Sequence, residues 1–214
     1  MSVEKLGFFR KLLISLGKNL YYRKSQKVNV LGLGLMMREL LRDYREVLGG
    51  SLENALSEFE KQVQIQAGEV ISKLISEPIM MGVSMSYALS RDINDLPFTT
   101  QAMFHGMIGK DYYKVFEYPN LILNADGSGT LIIRMNQCIM CAGIDDVTKE
   151  DLGKKDYGST VATLFGTVIK EAWDYMEMPY QVLEAKETRC YLRGDPFGEI
   201  TITFAPKSLV QKEE

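Results

Sequence analysis

Two short stretches hold every cysteine in the chain: QCIMCAG carries Cys138 and Cys141, and ETRC ends at Cys190. A two-residue gap lets a pair of thiolates meet one metal ion, and it is also the spacing of a redox dithiol. A structural zinc site needs four ligands. Cys190 is a candidate third, and Glu187, Asp145, Asp195 and His105 are candidates for the fourth. Redox chemistry fits less well, because Asp145 and Asp146 follow the pair and nearby acids raise a thiol pKa.

Other chemistry finds little support. His105 is the single histidine, and no G-x-S-x-G accompanies it. The run VLGLGLM lacks the third glycine of a dinucleotide loop, since Met37 stands in its place. Glu184 and Glu187 sit three apart on an expected strand and face opposite sides, so they do not form an acid–base pair. A catalyst is therefore the less expected class.

Twelve methionines include Met80, Met81, Met85, Met103 and Met107. Flexible, polarizable side chains of this kind either fill a core or wall a pocket for an apolar ligand. The pocket reading adds Phe165 and Trp173 from a later helix.

The elements that position these residues can be read from periodicity. Residues 3–22 have Leu6, Phe9, Leu13, Leu16 and Leu20 at helical spacing. A second helix spans 28–48 and is closed by Gly49-Gly50. Ser51 caps a third, with Leu52, Leu56, Phe59, Val63, Ala67, Val70 and Leu74 on one stripe, and Pro78 ends or kinks it. Residues 79–90 suggest a short helix, and INDLPFTTQAMFHGMIGKD reads as loop with one helical turn. Strands are expected in YKVFEYP, LILNADG and SGTLIIRMNQC, with a hairpin at Asp126-Gly127. Residues 146–153 suggest a turn or two of helix. A long helix is expected over 158–177, with Val161, Leu164, Phe165, Val168, Ala172 and Tyr175 inward. Two more strands, YQVLEAKETRCYL and GEITITFA, flank an RGDPF turn. The class is α+β: N-terminal helices (1–95) packed with a twisted antiparallel sheet carrying one inserted helix (96–210), together forming one compact unit.

Charge narrows the partners. The net charge is −3 with a pI near 5.4, which argues against nucleic acid. Residues 1–27 carry +6, leaving −9 on the remainder. A basic helix over residues 3–24 could touch an anionic membrane, or present a solvated face while packing on its own domain. No secretory signal or membrane-spanning run is apparent, so a cytoplasmic location, with peripheral membrane contact, is expected.

Residues 131–204 resemble the 4-vinyl reductase (hydrocarbon-binding) domain. The resemblance rests on LIIRMNQCIMCAG, on YGSTVATLFGTVIKEAWDYM, and above all on the E-T-R-C and G-D-P of VLEAKETRCYLRGDPFGEITITF. Tyr157-Gly158 and Gly198 stand where that family often has further cysteines. The resemblance implies a fold shared with the small TRAPP vesicle-tethering subunits, a homodimer formed through helices, and an apolar cavity for an acyl chain or other hydrophobic small molecule. It also implies a zinc-type cluster at Cys138, Cys141, Cys190 and Glu187. Three functions are thus expected in order: a non-catalytic hydrophobic-ligand sensor or scaffold, a tethering-type interaction subunit with 28–48 and 51–76 as dimer face, and a cysteine-dependent enzyme.

Overall fold

The computed structural model describes residues 5–24, 30–77, 85–136, 141, 144 and 146–210. Three long helices come first: α1 (Phe8–Lys24), α2 (Val30–Val47) and α3 (Leu52–Ser76). Ser51 caps α3, its Oγ accepting the Asn54 N–H at 3.2 Å, which satisfies one of the orphan donors of the first turn. Pro97 sits in the first turn of α4 (Leu96–Ile108), where a missing N–H costs nothing.

The sequence signal hid α4. Its apolar residues run all round the helix, so no amphipathic stripe marks it; such a helix belongs inside. Phe104 and His105 are indeed buried, and Phe104 stacks on Phe116 at 4.2 Å.

Four antiparallel strands follow: β1 (Asn120–Leu123), β2 (Gly129–Met135), β3 (Tyr180–Arg189) and β4 (Gly198–Pro206), in the order β1-β2-β4-β3. The β1–β2 hairpin turns as expected, with Gly127 at φ +84° and its N–H donating to the Asn124 carbonyl at 3.0 Å. YKVFEYP does not form a strand: residues 110–114 coil into a 3₁₀ turn, and Phe116 makes one isolated bridge to Met135. Between β2 and β3 lie α5 (Lys149–Leu152), closed by a Thr148/Asp151 capping box, and α6 (Ser159–Tyr175). A short α7 (Lys207–Val210) ends the described chain.

Alternation in β2 and β4 builds the main core. Leu131 pairs with Ile202 and Ile133 with Ile200, and all four are buried. α6 covers this face with Ala162, Phe165, Ile169 and Trp173. It lies so close to β3 that a Cβ on Gly166 would sit 2.5 Å from the Ala185 Cβ. Its other face meets α3, where Ile71 and Ile75 pack with Ala172.

That sandwich explains two departures from the expected stripes. On α3 the buried line runs through Leu52, Leu56 and Phe59, then passes to Ile71 and Ile75, leaving Val70 exposed. The first half of α3 packs with α2 and the second half with α6, so the inward direction rotates. On α6, Tyr175 is exposed and Trp173 takes the inward place.

The architecture is α+β. A second apolar cluster joins its two halves, bringing Leu41, Leu52, Leu56 and Phe59 of the helical part against Cys141, Leu152, Tyr157 and Cys190.

Candidate metal centre and outward helix faces

β3 loses register with β4 between Glu187 and Arg189. The slip lies beside the start of α6. Glu187 points inward there and is 5% exposed. Its Oε2 accepts the Gly158 N–H at 2.9 Å, at the residue preceding α6. A carboxylate at a helix N-terminus meets unpaired N–H donors and the positive end of the dipole. A Cβ at position 158 would lie 2.5 Å from Glu187 Oε1, so glycine is what lets the carboxylate approach.

The second oxygen, Oε1, is buried and has no hydrogen-bond donor. Burial pushes the Glu187 carboxyl up to about 7; the Gly158 N–H works against that shift and the charge on Asp156 adds to it.

Cys190 sits beside it, a free thiol 1% exposed. Burial, then the charge of Glu187, raises its pKa to about 11. The GDP turn fixes its backbone: Asp195 Oδ2 accepts the Cys190 N–H at 2.9 Å. Asp156 completes the group and pairs closely with Arg193, whose Nη2 also donates to the carbonyls of Gly153 (2.9 Å) and Lys155 (2.7 Å). One ligand atom from each of Asp156, Glu187 and Cys190 lies within 4.8 Å of the others.

This donor set suits a divalent cation. It offers a sulfur, two carboxylates and an orphaned oxygen lone pair, and each acidic group disfavours the ionisation of the next until a cation or protons enter. It does not suit nucleophilic catalysis. A buried thiol with a pKa near 11 is almost wholly protonated at neutral pH, and the thiolate is the reactive form.

Of the four ligands expected from the sequence, Glu187 and Cys190 stand together. Cys141 lies in the same apolar cluster and is disulfide-bonded. Cys138 lies outside the described residues. Asp156 joins Glu187 and Cys190 without a motif to mark it; its one signal is its place just before Tyr157-Gly158, where the resembled family often has a further cysteine. Asp195 serves the turn. Asp145 also lies outside the described residues, and His105 packs on the Tyr112 ring within the α4 region.

Three of the seven expected pocket residues, Phe165, Trp173 and Met103, pack in or on the main core. Phe165 and Trp173 fill the main core, Phe165 against Phe104 and Phe116, Trp173 against Tyr180 and Phe204. Met103 packs on that core. Met80 and Met81 lie outside the described residues, as do the side chains of Met85 and Met107. An open groove lies elsewhere, at Asn94, Pro97, Tyr118, Pro119 and Leu121.

Two helices turn apolar side chains outward. α2 buries Leu41 and sets Tyr44 on Phe59 of α3, at 5.9 Å between rings. Leu35, Met36, Leu40 and Val47 are exposed. On α1, Phe8, Phe9, Leu12, Leu13 and Leu16 are exposed, whereas Ile14 is buried. Among the described residues, no helix is long and apolar enough to cross a membrane.

No family model matches the chain, and no curated protein matches it. The resemblance to the 4-vinyl reductase domain therefore rests on the motif residues alone. Among solved structures, the chain is similar to the crystal structure of a trafficking protein particle complex subunit 3 from Naegleria fowleri covalently bound to palmitic acid. The two share 15% identity over 79% of this chain and 95% of that one, with a TM-score of 0.47.

Proposed function

We propose that the protein is a non-catalytic interaction module that pairs with a second copy through the outward face of α2. The observation that carries this reading is the line Met36, Leu40, Asp43, Val47. Its spacings of four, three and four follow a coiled-coil seam, and its apolar members are exposed on a helix whose opposite face is buried on α3. An antiparallel pair centred between Leu40 and Asp43 sets Met36 against Val47 of the second copy, so one patch complements itself, as a twofold interface requires.

In the metal-free protein Cys190 is a poor nucleophile, because burial and the charge of Glu187 raise its pKa to about 11. Cys190, as a thiolate once the ion is bound, with Glu187 and Asp156 are proposed to supply three ligands to a zinc-type cation where β3, α6 and the GDP turn meet, leaving the fourth position to water. Bound there, the ion supplies coordination energy that ties the three segments together. The hydrophobic-ligand reading leans on the methionines at 80, 81, 85 and 107, since Phe165 and Trp173 are occupied in the core.

Sedimentation equilibrium tests the pairing. Wild type is expected to dimerise, and Leu40→Glu to give a folded monomer. A monomeric wild type contradicts the reading.

A further inference from the structure

α1 has its polarity reversed relative to a helix that only packs on its own domain. Such a helix turns its apolar stripe inward. Here Phe8 and Phe9 are 77% and 79% exposed, and Leu12, Leu13 and Leu16 continue the same ridge one and two turns on. Among the described side chains, Arg10 and Lys11 turn to the protein instead. Arg10 Nε donates to the Tyr87 carbonyl at 2.7 Å, and its guanidinium lies 4.5 Å over the Tyr87 ring. Lys11 pairs with buried Asp95 and lies 5.5 Å over the Phe98 ring. Lys5 pairs with Asp92 at 3.5 Å. Burial lowers the pKa of Lys18.

Size and charge select the occupant. At ~200 Å² per phenylalanine and somewhat less per leucine, the five side chains expose on the order of 600 Å². A single convex ridge of this kind cannot bury all of its apolar area on a rigid flat surface. A bilayer interface is soft and closes around such a ridge. Arg10 and Lys11 are engaged inward, so among the described side chains the ridge presents hydrocarbon rather than charge.

We propose that α1 inserts the Phe8–Leu16 ridge into the bilayer interface, and that apolar burial rather than anionic lipid drives the binding. This inference is independent of α2.

Co-flotation of the full chain tests it, with vesicles of dioleoylphosphatidylcholine alone and with added phosphatidylserine. The protein is expected to float with both, changing less than about twofold with serine lipid or with high salt, because screened charge contributes little. Phe9→Ser combined with Leu13→Ser is expected to cut binding by more than about tenfold. Both residues are exposed, so circular dichroism is expected to be unchanged. Leu183→Ser, an exposed apolar residue of β3 away from both helix faces, is expected to float like wild type. The proposal is overturned by no flotation on phosphatidylcholine, or by binding that needs phosphatidylserine and vanishes in salt. It is also overturned by a double variant that floats like wild type, or one whose main effect is on oligomeric state.

Discussion

Glu187 Oε2 accepts the Gly158 N–H at 2.9 Å, while Oε1 of the same carboxylate is buried without a donor. That asymmetry ties the end of β3 to the start of α6 and leaves one oxygen for the proposed cation. It also fixes a pH dependence. The folded-state pKa is raised from 4.5 to about 7, so the folded state holds the proton more tightly. The protonated group's stabilisation is fully present below about 4.5 and is lost as pH rises through about 7. In metal-free protein, Glu187→Gln should remove a dependence on the order of 3 kcal/mol. Urea unfolding across this range checks it, and an unchanged slope in the variant contradicts the assignment.

Gly158→Ala should displace the carboxylate without touching a ligand residue, because its Cβ would meet Glu187 Oε1 at 2.5 Å. Wild type is expected to retain a single zinc ion per chain after dialysis. Gly158→Ala, Cys190→Ser and Glu187→Gln are expected to retain little. Elemental analysis, with circular dichroism as a folding control, reads both. Equal zinc in all four proteins removes the site.

Asp95 latches α1 to the domain. It is buried and accepts the Leu6 N–H and the Ser90 hydroxyl, each at 2.8 Å, while Lys11 pairs with it. Burial raises its pKa, but Lys11, the Leu6 N–H and Ser90 outweigh that, so the net shift is downward. Its contribution is present above the ordinary carboxylate pKa and lost as pH falls through the depressed value. Asp95→Ala should cost about 2–3 kcal/mol and expose α1 to protease. Limited proteolysis that cleaves α1 no faster in the variant goes against the latch.

Phe204 is buried between Trp173 and Tyr180, with ring centroids 5.2 and 5.7 Å away. Phe204→Ala should cost about 3–5 kcal/mol. A loss under about 1 kcal/mol in denaturant unfolding would mean that this aromatic cluster is not the packed centre of the sheet.

Periodicity made the frame legible. The stripes of α3 and α6, the caps at Ser51 and Gly49-Gly50, and the Asp126-Gly127 hairpin all followed from local chemistry. α4 did not, because a helix buried all round has no stripe to detect. Val70 and Tyr175 were misplaced because the inward direction of a helix changes when its packing partner changes, and a single helical wheel cannot show that. At the site, E-T-R-C marked Glu187 and Cys190. Asp156 reaches them only because α5 and the Gly153 turn bring it there, a juxtaposition that no spacing encodes. The reversal of α1 was likewise hidden: residue type showed Lys, Arg, Phe and Leu on one helix, but not which side would meet the protein.

Sedimentation equilibrium of the full chain over a wide concentration range tests the central claim most directly. The account predicts a reversible dimer for wild type and a folded monomer for Leu40→Glu. A wild-type monomer throughout, or a dimer untouched by the charge placed at Leu40, would contradict pairing through α2.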